Sequence, residues 1–175
     1  MSHLSENSLY ESIRNTVAEA QQKMYSTVSF VMVETYWNVG KQIYEAQGEN
    51  QRAEYGAGLL KFLSEKLTEE FGKGYTVRNL NNMRAFYIAF PNWNALRANL
   101  SWTHYRMLLK VEDNVARDFY LDECSKSNWS TRQLERQINS FYYQRLLSSQ
   151  DKNGVRNEIR TLEKGVDAKD IIRDP

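Results

Sequence analysis

The sequence predicts an all-α domain, and three observations carry that prediction. Apolar residues recur at steps of three and four over most of the chain, which is the period of amphipathic helices. The 175 residues contain only 2 prolines and 8 glycines, so few positions can end a helix. Hydrophobic residues make up 41% and charged residues 26% of the chain, a balance typical of a folded protein with a core. We expect one helical domain over residues 1–165.

The first predicted element is a long helix over residues 7–47. Its middle, residues 28–39, is apolar nearly all round and would fit a buried strand if taken alone. The helical period continues on both sides without a breaker, so we interpret this segment as the buried centre of the helix, with Gly40 as the candidate kink. The residues that set the period on its N-terminal side are Leu9, Ile13, Val17, Ala20, Met24, Val28 and Val31.

Shorter helices follow, most of them with a signal at one end. A loop over residues 55–58 leads into a helix over residues 59–71, which the glycines at 72 and 74 close. Thr76 is the predicted N-cap of a helix that Pro91 stops at Phe90, and Ser101 is the predicted cap of a short helix. Further helices are expected over residues 112–127, 130–147 and 152–163. Residues 166–175 have the character of a linker.

The net charge of +1 conceals a marked segregation of charge. Residues 71–111 contain no Asp or Glu, and such a stretch favours a surface that meets anions. The alternative is a gap that acidic neighbours offset in the fold. The cations of this stretch are Lys73, Arg78, Arg84, Arg97, Arg106 and Lys110.

Two helix starts resemble each other. Residues 74–80 (GYTVRNL) and 128–134 (NWSTRQL) share an aromatic residue, a hydroxyl cap, an Arg, an amide and a Leu, and a helix and a polar turn precede each. This layout predicts helix-turn-helix units, including the winged-helix variant, at about 59–90 and 112–147. The second helix of such a unit reads DNA bases, Arg pairing with guanine and Asn or Gln with adenine. The predicted DNA contacts are Lys73, Arg78, Asn79, Asn81, Asn82, Arg84, Arg132, Gln133 and Arg136.

Ordinary helix capping is the alternative interpretation of both helix starts, because it uses the same residue types in the same order. Catalytic groups are not apparent either. Cys124 follows Glu123, a setting that does not activate a thiol, and His104 is expected to be a packed side chain. Two His and one Cys leave too little for a zinc site, and no glycine-rich phosphate loop occurs. We predict no enzyme activity, no cofactor and no metal for this chain.

The compartment and the oligomeric state follow from other features. A single cysteine, no basic-then-apolar start and no run of about 18 apolar residues predict a cytoplasmic protein without a membrane span. The first helix would be roughly 60 Å long at 1.5 Å per residue, longer than a domain of this size covers. Its apolar residues Leu9, Ile13 and Val17 then need a partner. We expect a homodimer through this helix, as most oligomers are symmetric pairs.

A specific set of segments then appears in a fixed order: 33–43 (VETYWNVGKQI), 55–56 (YG), 67–75 (LTEEFGKGY), 79–87 (NLNNMRAFY), 100–109 (LSWTHYRMLL), 128–138 (NWSTRQLERQI) and 169–175 (KDIIRDP). In these segments the chain resembles the N-terminal domain of the YhcG-like family. The resemblance covers nearly the whole chain from about Ile13.

This resemblance implies a function. Members of the family are bacterial proteins in which such a helical domain precedes a PDDEXK-type nuclease domain. The chain is therefore expected to bind DNA and to target a nuclease domain in cis. The metal-binding carboxylates and the catalytic Lys of the family belong to that nuclease domain, and the sequence ends where it would begin, so no catalytic residue is transferred. The alternative is an oligomerisation or protein-interaction module of the same protein with no direct DNA contact.

Overall fold

A computed structural model describes residues 6–48 and 53–163. In these ranges the chain is built of α-helices joined by short turns and contains no strand, which confirms the all-α prediction and its long N-terminal helix. The winged variant has no counterpart there. The helices are α1 (Glu6–Gln47), α2 (Ala53–Phe71), α3 (Val77–Ala89), α4 (Trp102–Leu108), α5 (Asn114–Ser127), α6 (Thr131–Asn139), α7 (Tyr142–Ser148) and α8 (Lys152–Glu163), with 3₁₀ turns at Lys73–Tyr75 and Trp93–Ala95.

The packing of α1 on α3 organises the fold. The C-terminal half of α1 turns Val33, Trp37 and Ile43 inward, where all three are buried. Gly40 lies between them, and a Cβ atom added to it would come within 2.0 Å of the Met83 carbonyl oxygen of α3. The Trp37 indole N–H donates a hydrogen bond to the Phe90 carbonyl oxygen at 2.8 Å. Glycine at position 40 is therefore required for the close approach of the two helices.

Two apolar clusters continue inward from this contact. The smaller joins α1, α2 and α3 through Ile43, Leu60, Leu80 and Met83. The larger runs from α1 and α3 through α4 and α5 to α6, α7 and α8, and large aromatic side chains fill it. The fully buried aromatic residues of this cluster are Phe86, Tyr105, Tyr120 and Tyr142.

The second helix begins earlier than the sequence predicts. We expect a loop over residues 55–58, whereas α2 starts at Ala53 and includes both glycines. A glycine costs about 1 kcal/mol inside a helix, which a packed helix can tolerate. Here Gly56 lies beside the end of α1, and its carbonyl oxygen accepts a hydrogen bond from the Gln47 amide at 3.4 Å. The helix therefore runs through the predicted loop, and this hydrogen bond joins it to the end of α1.

The predicted helix over residues 130–147 is divided into α6 and α7. Phe141 adopts a left-handed conformation with φ 54°, and its side chain is exposed, while the next residue, Tyr142, is fully buried. The Tyr120 hydroxyl holds the break, since it accepts from the Tyr143 backbone N–H at 3.1 Å and donates to the Gln137 carbonyl oxygen at 3.3 Å. Neither glycine nor proline marks this break in the sequence. A tertiary hydrogen bond, and not a local signal, sets its place.

The remaining boundaries lie close to the predicted ones. Thr76, Ser101 and Ser130 precede α3, α4 and α6 as expected. The predicted linker over residues 166–175 and part of the turn after α1 lie outside the described residues. None of the helices in the described ranges combines the length and the apolar character needed to cross a lipid bilayer.

Candidate nucleic-acid interface

A shallow groove of about 260 Å³ lies where the 3₁₀ turn before α3, the first turns of α3 and one side of α4 meet. Three cations from three elements converge on it: Lys73 from the turn, Arg78 from α3 and Arg106 from α4. All three side chains belong to exposed residues. The other lining residues are Gly74, Thr76, Asn79, Asn82 and Trp102.

Local capping chemistry shapes one wall of this groove. Thr76 has an extended backbone, and its hydroxyl accepts a hydrogen bond from the Asn79 N–H, which starts α3. The Asn79 side-chain amide donates to the Gly74 carbonyl oxygen at 2.6 Å and so ties the 3₁₀ turn to the helix. The first N–H groups of a helix carry a partial positive charge, which favours an anion nearby. The wall that α3 contributes therefore adds to the field of the three cations.

Trp102 positions the opposite wall. Its indole N–H donates to the Asn79 side-chain oxygen at 3.3 Å. Its ring packs against Tyr36 and Phe86, with ring centroids 5.0 and 5.4 Å away. Arg106 lies four residues further on, on the same face of α4. The packing of Trp102 thus brings the Arg106 guanidinium to the groove, although Arg106 was not among the predicted DNA contacts.

The six cations of the acid-free stretch differ in their contacts and in their position relative to the groove. Within the described residues, Lys73, Arg78 and Arg106 form no ion pair, whereas Arg97 pairs with Asp122 at 2.8 Å. Arg84 follows Asn82 by two residues and so lies about 200° away around α3. It does not line the groove, and its Nε atom is buried without a hydrogen-bond partner. The predicted contact Asn81 is exposed on α3, also outside the groove.

In the second predicted unit a short turn joins α5 to α6, and several polar residues of the unit bond within the domain. Asn128 takes the left-handed conformation that ends α5, and Ser130 begins α6. The Gln133 side chain is only 8% exposed, and its oxygen accepts from the Ser130 N–H at 2.7 Å. This is the reciprocal bond of a capping box. The ordinary capping interpretation therefore describes Gln133.

The remaining polar residues of α6 face α8 as well as solvent. Arg136 pairs with the Glu163 carboxylate at 3.1 Å, and the Gln137 amide donates to the same carboxylate. Arg132 is exposed and has a contact of its own. The Glu163 side chain is largely buried, so this contact joins α6 to the end of α8. Gln133 and Arg136 therefore both bond within the domain.

His104 and Cys124, the two side chains whose chemistry could be catalytic, are both buried in the domain. The His104 Nδ1 atom accepts from the Ser101 N–H, so Nε2 carries the proton and donates to the Trp129 carbonyl oxygen at 2.9 Å. Cys124 is fully buried, and burial raises the pKa of its thiol to about 12. A thiol with that pKa stays protonated at neutral pH. In the described part of the chain no three His, Cys, Asp or Glu side chains are grouped to hold a metal ion.

The fold and the groove define an all-α domain with a surface suited to anions. Comparison with known families places it more closely: residues 12–145 match the DUF1016 N-terminal domain, and the chain belongs to this family. It is also 32% identical over 200 residues to an Escherichia coli K12 protein named "Putative nuclease YhcG", an alignment that covers 95% of the chain and 53% of that protein. The chain therefore spans about half the length of this relative. No solved structure matches the chain.

Proposed function

We propose that this chain is the non-catalytic DNA-binding domain of a PDDEXK-type nuclease and that it holds DNA in the groove between α3 and α4. The observation that carries the proposal is the convergence of Lys73, Arg78 and Arg106, none of which forms an ion pair within the described residues. The name of the related E. coli protein supports a role in a nuclease. By binding DNA, such a surface can bring a nuclease domain of the same protein to its substrate.

The hydrogen bonds in the groove favour contacts to phosphates over contacts to bases. Asn79 is the residue type that recognises adenine, but its side-chain nitrogen and oxygen are already bonded to Gly74 and Trp102. The face of α3 that carries Leu80, Met83 and Phe86 packs into the core, so these residues cannot contact a ligand. Phosphate contacts fix the position of a protein on DNA without reading its sequence. Binding should therefore depend little on sequence.

A binding titration against duplex, single-stranded and branched DNA at two salt concentrations tests this function. Three cations that each neutralise one phosphate of duplex DNA give a slope of about −2.7 for log affinity against log salt. Affinity should then fall about 40-fold between roughly 50 and 200 mM salt. Two unrelated duplexes of one length should bind within about threefold of each other. The absence of binding to any of these DNAs at about 50 mM salt would contradict the proposal.

The second function that we propose is self-association through α1, and a separate observation favours it. Residues 7–28 of α1 are exposed on all sides, and they precede the part that packs on α3. This half carries an apolar stripe in which each side chain is 50–62% exposed: Leu9, Tyr10, Ile13, Val17, Met24, Val28 and Val31. Most of the stability of a helix in a protein comes from packing of its apolar face. A partner that covers the N-terminal stripe would stabilise it.

A further inference from the structure

The two halves of α1 present apolar residues on opposite faces. Val33, Trp37 and Ile43 face the rest of the domain. Met24 precedes Val33 by nine residues, which is about 2.5 turns at 3.6 residues per turn, so it points away from that face. Val31, half exposed, lies on the same outer side as Met24, seven residues along. A second chain could therefore lie along the N-terminal stripe without meeting the body of the domain.

We propose that this stripe is the seam of a parallel, in-register, two-stranded coiled coil formed with a second copy of the chain; this rests on the self-association proposed above. The seam positions alternate in steps of three and four, which is the heptad spacing of a coiled coil. They are Tyr10, Ile13, Val17, Ala20, Met24, Thr27 and Val31. Polar Thr27 fits this series because its hydroxyl is bonded to the Lys23 carbonyl oxygen of its own helix at 2.8 Å.

The positions of the seam residues favour a parallel pair. In that arrangement each seam residue meets its own copy, so all layers are matched. In an antiparallel pair, residues at the first heptad position of one helix meet residues at the fourth heptad position of the other. The two registers that keep most of the seam paired then join Tyr10 to Thr27, or Ile13 to Val31. Either register leaves one terminal apolar residue, Val31 or Tyr10, without an apolar partner.

Charge and area agree with this arrangement. Arg14 and Lys23 lie on opposite flanks of the seam, where a parallel pair sets them against Leu9 and Val28 of the second copy and not against like charges. If two copies cover the exposed halves of each other's stripe side chains, roughly 1,000 Å² of surface is removed from water. A specific interface needs an area of about this size. A parallel pair also places both bodies, each with its groove, at one end of the coiled coil.

Cysteine cross-linking in the full chain tests the register. The native Cys124 is the sole cysteine of the sequence and is fully buried, so it does not compete for an introduced thiol. The variant Thr27→Cys should form a covalent dimer under mild oxidation, because the two copies of residue 27 meet across the seam. The control Gln22→Cys, five residues earlier and about 140° around the helix, should stay uncross-linked.

Light scattering on the same proteins distinguishes self-association in general from the parallel register in particular. A dimeric mass with efficient Thr27→Cys cross-linking is the expected result. A dimeric mass without that cross-link, but with a cross-link in a mixture of Tyr10→Cys and Thr27→Cys chains, would show an antiparallel pair. That result would overturn the parallel register, and the self-association proposal would still hold. A monomeric mass at high concentration would overturn both. The double variant Val17→Glu and Met24→Glu should halve the mass, while an unchanged tryptophan fluorescence spectrum shows that the body, which contains all four tryptophans, stays folded.

Discussion

Replacing Arg78 and Arg106 together with Glu is expected to abolish the binding of duplex DNA. The change removes two of the three groove cations and places two carboxylates beside Lys73, where they repel phosphates. We expect at least about a 100-fold loss of affinity at low salt, since each lost phosphate contact also removes its counterion release. Both residues are exposed, so the melting temperature should change little. Fluorescence anisotropy with a labelled duplex measures the loss.

A matched pair of substitutions separates the groove from general charge. Lys61 on α2 and Lys152 on α8 are exposed and do not line the groove. Changing both to Glu alters the net charge by the same amount, and the affinity should stay within about threefold of the wild type because distant exposed charges are screened by salt. If this control pair weakens binding as much as the groove pair does, the attraction arises from net charge and the groove is not the interface.

Among the substitutions of glycine by alanine, each of which adds one methyl group, Gly40→Ala is expected to lower the stability of this chain most. The new Cβ atom would lie 2.0 Å from the Met83 carbonyl oxygen, and because the clash is with backbone, no side-chain rotation relieves it. The two helices must move apart, at a cost of about 3 kcal/mol in the free energy of unfolding. Urea denaturation followed by tryptophan fluorescence measures it, since Trp37 lies in this contact.

Gly58→Ala is the matched control for this substitution. Gly58 lies in α2, and an added Cβ atom meets nothing within 4 Å. Replacing a helical glycine by alanine should stabilise the chain by about 0.5–1 kcal/mol. A Gly40→Ala chain as stable as the wild type would show that α1 and α3 do not approach each other as described.

Local chemistry is what the sequence predicts well in this protein. Thr76 starts α3 as expected, because a hydroxyl that caps a helix needs only the N–H group three residues on. The break between α6 and α7 was not predictable in this way. It depends on the Tyr120 hydroxyl, which lies 23 residues before Tyr143 in the chain and reaches it through the tertiary fold.

The same distinction holds for the site. The acid-free stretch indicates where cations gather, but it does not tell Arg106, which lines the groove, from Arg84, which does not. That difference depends on the packing of Trp102 against Tyr36 and Phe86. Asn79 has the side chain expected of a base-reading residue, yet the hydrogen bonds that occupy it appear only in the folded chain.

The apolar period of α1 also hides a change of face. Residues 9–31 and 33–43 belong to one helix without a breaker, but their apolar residues lie about half a turn apart around it, and the fold buries Val33 and Trp37 while it leaves Ile13 and Val17 exposed. Periodicity shows that a helix has apolar residues but not which partner covers them. Only the position of α3 decides which half of α1 is buried.

The most direct test of the groove as the DNA interface is the indole N–H resonance of Trp102 during a titration with duplex DNA. The chain has four tryptophans, and the Trp102 indole N–H is bonded to Asn79 at the edge of the groove. The Trp129 ring lies in the turn between α5 and α6, is buried, and provides the internal reference. We predict that the Trp102 signal moves progressively with added DNA while the Trp129 signal stays in place. A titration that moves Trp129 and leaves Trp102 unchanged would contradict the account.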